Sequence, residues 1–266
     1  MFIMKHTTIM NNFIFQNPTK LVFGKGQIEL LPELIPDDVN LMITYGGGSV
    51  KKNGIYDQVI NALKGREYTE FWGIEPNPQV ETLRKAIKKG KENNINFLLA
   101  VGGGSVLDGT KLIAAGILSE TDAWEIVLNG FTDKQIPYAS VMTLPATGSE
   151  MNSGAVITRE ETQEKYSFGG GYPQFSILDP EVTYSLPDHQ IACGLADAFT
   201  HVLEQYMTTT GQSRIMDRWA EGLLLTIIDI APKILTNRKD YDLMADFMLS
   251  ATLALNDFIR MGVTQD

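Results

Sequence analysis

Phe97-Leu98-Leu99-Ala100-Val101-Gly102-Gly103-Gly104-Ser105-Val106-Leu107-Asp108-Gly109-Thr110-Lys111 is the stretch on which the reading of this chain turns. Phe97 to Val101 is a continuous apolar run, the pattern of a strand covered on both faces. Three glycines follow, and without Cβ atoms they let the backbone turn and a ligand approach closely. Ser105, a good N-cap residue, predicts a helix starting there. The free N–H groups and positive dipole end of such a helix suit an anion such as a pyrophosphate. A glycine turn alone also suits a plain strand-to-helix connection with no ligand. The stretch is not a P-loop, because Gly109-Thr110-Lys111 puts the lysine one place late. Nor is it Gly-x-Gly-x-x-Gly, since Leu107 stands where the third glycine belongs.

Working outward, a second such segment appears upstream. Leu41-Met42-Ile43-Thr44-Tyr45 is another buried-strand run and leads into Gly46-Gly47-Gly48-Ser49. Both glycine segments therefore sit at the C-terminal ends of predicted strands, on the edge where parallel sheets bind ligands. Phe13-Ile14-Phe15, Leu21-Val22-Phe23, Tyr68 to Trp72, Ala139 to Leu144 and Phe175 to Leu178 are further predicted strands. Ala155 to Thr158 and Lys165 to Phe168 read as a hairpin. Helices are predicted over Ile28 to Ile35, over Ile55 to Leu63, and after Asn77-Pro78, where Asn77 is expected to cap. Strand–helix alternation means a parallel sheet with helices on both faces. After Pro187 apolar residues recur only at three and four, up to Leu255 and Ile259. The expected domains are thus an α/β domain, 1–186, and an all-helical domain, 187–266.

Composition narrows the class. The chain has 266 residues, 44% of them hydrophobic, and a formal net charge of −10. That charge argues against nucleic acid and anionic membranes as partners. A single cysteine, Cys193, excludes an internal disulfide and suits a reducing cytoplasm. No signal-peptide pattern or membrane-length apolar run is present, so a cytoplasmic protein is expected.

Asp197 and His201 stand four apart in a predicted helix, which puts both on one face. They read either as half of a divalent metal site, with Glu204 one turn on, or as a hydrogen-bonded surface pair. The other histidines are His6, in an expected tail, and His189. The last helix is expected to run to the end of the chain, leaving the helical domain incomplete.

Tyr45 to Lys52, Gly102 to Gly109, Leu144-Pro145-Ala146-Thr147-Gly148-Ser149-Glu150 and Asp197-Ala198-Phe199-Thr200-His201 occur in one order in one family. From about Met10 onward the chain resembles the iron-containing (group III) alcohol dehydrogenases, particularly their NADPH-dependent butanol dehydrogenase and aldehyde reductase branch. The resemblance implies an N-terminal Rossmann-like α/β domain and a helical domain of dehydroquinate synthase-like architecture, with the active site between them. It implies that Gly46, Gly47, Gly48, Ser49, Gly102, Gly103, Gly104, Ser105, Thr143, Thr147, Asn152, Tyr184 and Leu186 contact the cofactor. Asp108 and Lys165 match cofactor-site positions and are the expected catalytic pair. Asp197 and His201 match two metal ligands, for Fe²⁺ or Zn²⁺; the family's two further histidine ligands come from its next helices, which this sequence is expected to lack.

No acidic residue follows the second strand to bind a ribose 2′-hydroxyl, while Lys51 and Lys52 lie close behind Ser49. NADP(H) is therefore expected over NAD(H). A small alcohol or aldehyde is the expected substrate and a homodimer the expected assembly. The alternatives are an inactive nucleotide-binding fragment and a lyase like dehydroquinate synthase.

Overall fold

The computed structural model of the chain describes residues 10–208 and 211–264. The α/β part runs β1 (Lys20–Phe23), α1 (Leu31–Leu34), β2 (Leu41–Tyr45), α2 (Ser49–Lys52), α3 (Ile55–Ala62), β3 (Tyr68–Phe71), α4 (Val80–Glu92) and β4 (Phe97–Gly103). It continues through α5 (Gly104–Leu118), α6 (Ala123–Leu128), β5 (Tyr138–Leu144), β6 (Gly154–Arg159), β7 (Glu164–Gly169) and β8 (Phe175–Leu178). Three long helices follow: α7 (Asp188–Thr208), α8 (Arg214–Thr236) and α9 (Tyr241–Ala254).

Six strands form one parallel sheet in the order β1-β8-β5-β4-β2-β3. Strands β6 and β7 pair apart as an antiparallel hairpin. Alternation along β4 splits its side chains between two cores. Leu98 and Ala100 pack with Leu83, Ile87, Leu107 and Ile113 of α4 and α5. Phe97, Leu99 and Val101 pack on the other face with Ile55, Val59 and Leu31. Burial on both faces is why the strand reads as an unbroken apolar run.

The helical part has its own core. Ile191, Leu195, Ala198 and Val202 of α7 meet Ala220, Ile227, Ile230 and Ile234 of α8, and Phe247 and Ala251 of α9. The spacings of three and four are those of one helix face. An α/β parallel-sheet fold followed by a helical part is thus as the pattern implied.

Several local expectations fail. Phe13-Ile14-Phe15 forms no strand; the segment is irregular, with Ile14 98% exposed and the Phe15 ring against Phe258. α5 begins at Gly104 behind an extended Gly103, so Ser105 is inside the helix and does not cap it. Asn77 does not cap α4, whose N-cap is Gln79; Asn77 instead takes a left-handed turn at φ 57°. α9 stops at Ala254, and 255–264 are turns and irregular chain, so the last helix does not extend through Ile259. His6 and Asp266 lie outside the described residues.

Candidate functional site

The chain leaves β2 to build β3 on one side, then returns to build β4 on the other. The loops after β2 and β4 therefore diverge and open a crevice at a topological switch point. A cleft of about 530 Å³ lies there, within the usual range for a cofactor site. Gly46 to Val50, Lys52 and Asn53 line one side, Gly102 to Val106 the floor, Thr143 and Leu144 the far wall. Ser185, Leu186, Pro187 and Gln190 enter from the segment leading into α7.

The two glycine turns need glycine for different reasons. Gly48 caps α2 at φ 98°, a left-handed conformation that disfavours any side chain. Gly102, Gly103 and Gly104 have no positive φ; they need space. A Cβ on Gly102 would meet Val106 Cγ2 at 2.5 Å, and one on Gly104 would meet Thr147 Oγ1 at 2.4 Å. Gly47 has nothing within 4 Å of a Cβ position, so that side of the cleft is bare backbone. No side chain caps the start of α5, and its first turn carries no acidic residue. Its orphan N–H groups and positive dipole end are thus left for an anion. A dinucleotide fits this arrangement.

The expected residues divide around that cleft. Both glycine turns, Ser49, Ser105, Thr143 and Leu186 line it, and Thr147, Asn152, Asp108, Lys165 and Tyr184 do not. Thr147 backs onto Gly104. Lys165 is exposed and donates to Asn77 Oδ1 at 2.9 Å, and the Asn77 N–H donates to Ser105 Oγ at 3.3 Å. Tyr184 adjoins the lining residue Ser185. Asp108 accepts from Ser149 Oγ at 2.6 Å and from the Val156 N–H at 3.0 Å. Burial pushes its carboxyl above the ordinary range, against the opposing pull of Lys111.

Lys51 and Lys52 separate. Lys52 lines the cleft, while the Lys51 ammonium lies 4.1 Å from the centroid of the Trp72 ring, itself stacked on Tyr45 at 4.0 Å. No Asp or Glu is among the lining residues described.

Lys111 has a role that the sequence pattern did not suggest. It is fully buried and donates to Ser149 Oγ (2.8 Å), Asn152 Oδ1 (3.0 Å) and the Gly154 carbonyl (2.6 Å). Burial lowers its pKa to about 8, against the pull of Asp108 and Glu150. The available signal was its spacing, one helical turn beyond Asp108 on α5.

Asp197 and His201 do meet on α7, with His201 Nε2 3.5 Å from Asp197 Oδ2. The hydrogen bond to Asp197 raises the imidazole pKa, against burial. His189 sits elsewhere on the helix, 3.6 Å from Cys193 Sγ. Among the described residues no group of three or more His, Cys, Asp or Glu is placed to hold a metal ion. A catalytic metal takes about three protein donors, so these residues alone do not fit one.

Comparison with known proteins agrees with the geometry. Residues 18–180 match the family model for iron-containing alcohol dehydrogenase, and residues 191–266 match that for the C-terminal part of the Fe-containing alcohol dehydrogenase family. The chain is 52% identical to the NADPH-dependent aldehyde reductase YqhD of Escherichia coli (strain K12), across 97% of this chain and 68% of that protein. It is 48% identical to a probable NADH-dependent butanol dehydrogenase of Bacillus subtilis (strain 168), with the same coverage of both chains. The crystal structure of Escherichia coli YqhD superposes with a TM-score of 0.95, covering 97% of this chain and 68% of that one. NADH-dependent butanol dehydrogenase A of Thermotoga maritima, 41% identical, superposes at 0.92, covering 96% and 65%.

Proposed function

Because the chain belongs to the iron-containing alcohol dehydrogenase family, we propose that it transfers hydride between NADP(H) and a short-chain alcohol or aldehyde. The observation that carries this reading is the cleft: two glycine turns and an uncapped helix start meet at the switch point of the sheet. NADP(H), when bound, supplies or accepts the hydride. The N–H groups at 104–106 hold its pyrophosphate, as helix N-termini do. Gly47, Gly48 and Ser49 leave room for a 2′-phosphate, and Lys52 neutralises it. With no carboxylate in the lining, nothing there repels that phosphate. Among the relatives, the Escherichia coli enzyme's name records NADPH and the Bacillus subtilis one NADH, so the lining argues the choice.

Lys165, tied through Asn77 to Ser105, adds positive charge at the rim. Thr143 and Leu186 hold the cofactor's flanks and Tyr184 backs the Leu186 segment. Asp108, Thr147 and Asn152 support the wall from behind. Asp197 and His201 would supply two donors toward Fe²⁺ or Zn²⁺, and a metal there would need further ligands besides them. The second reading is a chain that binds dinucleotide without turning it over; among the described residues no group of three or more such donors is placed for a metal. A homodimer and a cytoplasmic setting belong to the same reading. They are supported by the exposed apolar residues Leu225, Ile228 and Leu235 of α8 and by the free, exposed Cys193. Among the described residues no helix is long and apolar enough to cross a membrane.

Fluorescence titration with NADPH and NADH, followed by butyraldehyde-dependent NADPH oxidation with and without added Fe²⁺ or Zn²⁺, tests both readings. Tighter NADPH binding with aldehyde-dependent oxidation is the expected result. Binding without oxidation under any metal leaves the second reading, and a preference for NADH overturns the cofactor choice. Sedimentation velocity on the same sample reads the dimer.

A further inference from the structure

We propose that Lys111 is a positioning residue, a buried clamp that holds the far wall of the cleft against α5 and ties it to the helical part. The proposal rests on the dinucleotide reading of the cleft but concerns a residue outside its lining.

All three ammonium protons of Lys111 are used, on Ser149 Oγ, Asn152 Oδ1 and the Gly154 carbonyl. The three acceptors lie in one segment, 147–154, which continues the wall formed by Thr143 and Leu144 and ends at the start of β6. No direct Asp108–Lys111 pair forms; the Ser149 hydroxyl stands between them, accepting from the ammonium and donating to the carboxylate. The loop is thus stitched to α5 at two residues three apart. At its start, Thr147 lies in the space a Gly104 side chain would need, directly behind the helix end that faces the cleft.

Asn152 carries the link onward. An ammonium has only protons to offer, so Lys111 meets the amide at its oxygen, which the Gly154 N–H also reaches at 3.1 Å. The amide nitrogen then points the other way and donates to the Leu255 carbonyl at 2.9 Å, just beyond α9. Thr252 of α9 reinforces the join by donating to Glu150 Oε1 at 2.5 Å. Without the ammonium, Asn152 Oδ1 keeps only the Gly154 N–H, Ser149 loses its donor, and the Gly154 carbonyl loses the lysine's proton. Burying a lysine is unfavourable unless its charge is compensated. Here the compensation is spent on a segment outside the cleft lining that sets where the wall stands.

The test compares wild type, Lys111→Met, Asn152→Leu and the double variant. NADPH affinity is read by fluorescence titration, and amide hydrogen exchange over 147–156 and 252–256 is read without cofactor. Lys111→Met is expected to weaken NADPH binding about tenfold and to speed exchange in those two segments but not in β4, with the double variant little worse than either single one. A purely structural lysine would lower stability evenly and give additive effects. A folded Lys111→Met with NADPH affinity within about twofold of wild type, or with unchanged loop exchange, overturns the proposal. Where Lys111→Met does not fold, Ser149→Ala removes the central hydroxyl alone and is held to the same two readouts. If wild type binds neither NADPH nor NADH, the reading of the cleft fails; exchange in the loop then decides the clamp separately.

Discussion

Lys51 and Lys52 are neighbours in the chain and go to different places. α2 turns its side chains by about 100° per residue, so adjacent lysines cannot share a direction. Lys51 spends its charge on the face of Trp72, a cation–π contact, and Lys52 is left in the cleft. Lys52→Ala should weaken NADPH binding about tenfold while leaving NADH within about twofold, since one charge-assisted contact is worth about 1.5–3 kcal/mol. Parallel titrations at two salt concentrations check this, and the NADPH effect should shrink at the higher one. Sequence alone placed both lysines near the phosphate because proximity in the chain is visible and side-chain direction is not. The same limit hid Lys111: its distance from Asp108 is legible, but its three acceptors lie about forty residues downstream and meet it only after folding.

At the scale of elements, strand β4 and helix α5 were legible because two unrelated signals agree, an apolar run and a glycine turn. Phe13-Ile14-Phe15 carried only the first. A strand needs a ladder partner, and this segment takes none; Phe15 packs on the Phe258 ring instead. α6 went unread although Asp122 caps it, accepting from the Trp124 N–H at 2.9 Å, with Glu125 three places on. That is a start signal, but at six residues the helix is too short to show periodicity. The junction of β4 and α5 offers a direct test. Gly104→Ala would force its methyl into Thr147, an overpacking that costs about 1–3 kcal/mol. The variant should unfold at lower urea and bind NADPH more weakly. Thr147→Ala in the same chain should recover part of both; failure to recover either would show that the contact is not the cause.

For the whole molecule, buried ionisable groups shape stability across pH. Burial raises Asp108 and Glu150, and Glu150 Oε2 is buried without a hydrogen-bond partner. Each binds its proton more tightly folded than unfolded. The stability they contribute is therefore complete below their ordinary range, near pH 4, and is lost as pH rises through their folded values. Lys111 acts in the opposite sense. Its pKa is about 8 folded against 10.5 unfolded. Between those values the unfolded chain binds more protons, so this group alone makes stability rise with pH. Urea melts over that range should show a shallower alkaline rise for Lys111→Met than for wild type. Identical slopes would mean the lysine titrates as an exposed one does.

The order of residues along this chain was enough for its class and edge: alternating buried runs and helical periods imply a covered parallel sheet, and glycines after two of its strands mark the ligand side. Those are local properties, carried by burial and backbone freedom within a few residues. Which strands are neighbours, and so where the crevice opens between β2 and β4, came from the folded sheet. So did the division of two adjacent lysines, the seat of Thr147 behind Gly104, and the clamp from Lys111 through Asn152 to α9. Each joins groups far apart in the chain, and such contacts exist only once close packing brings distant segments together and desolvation makes every unpaired buried group costly.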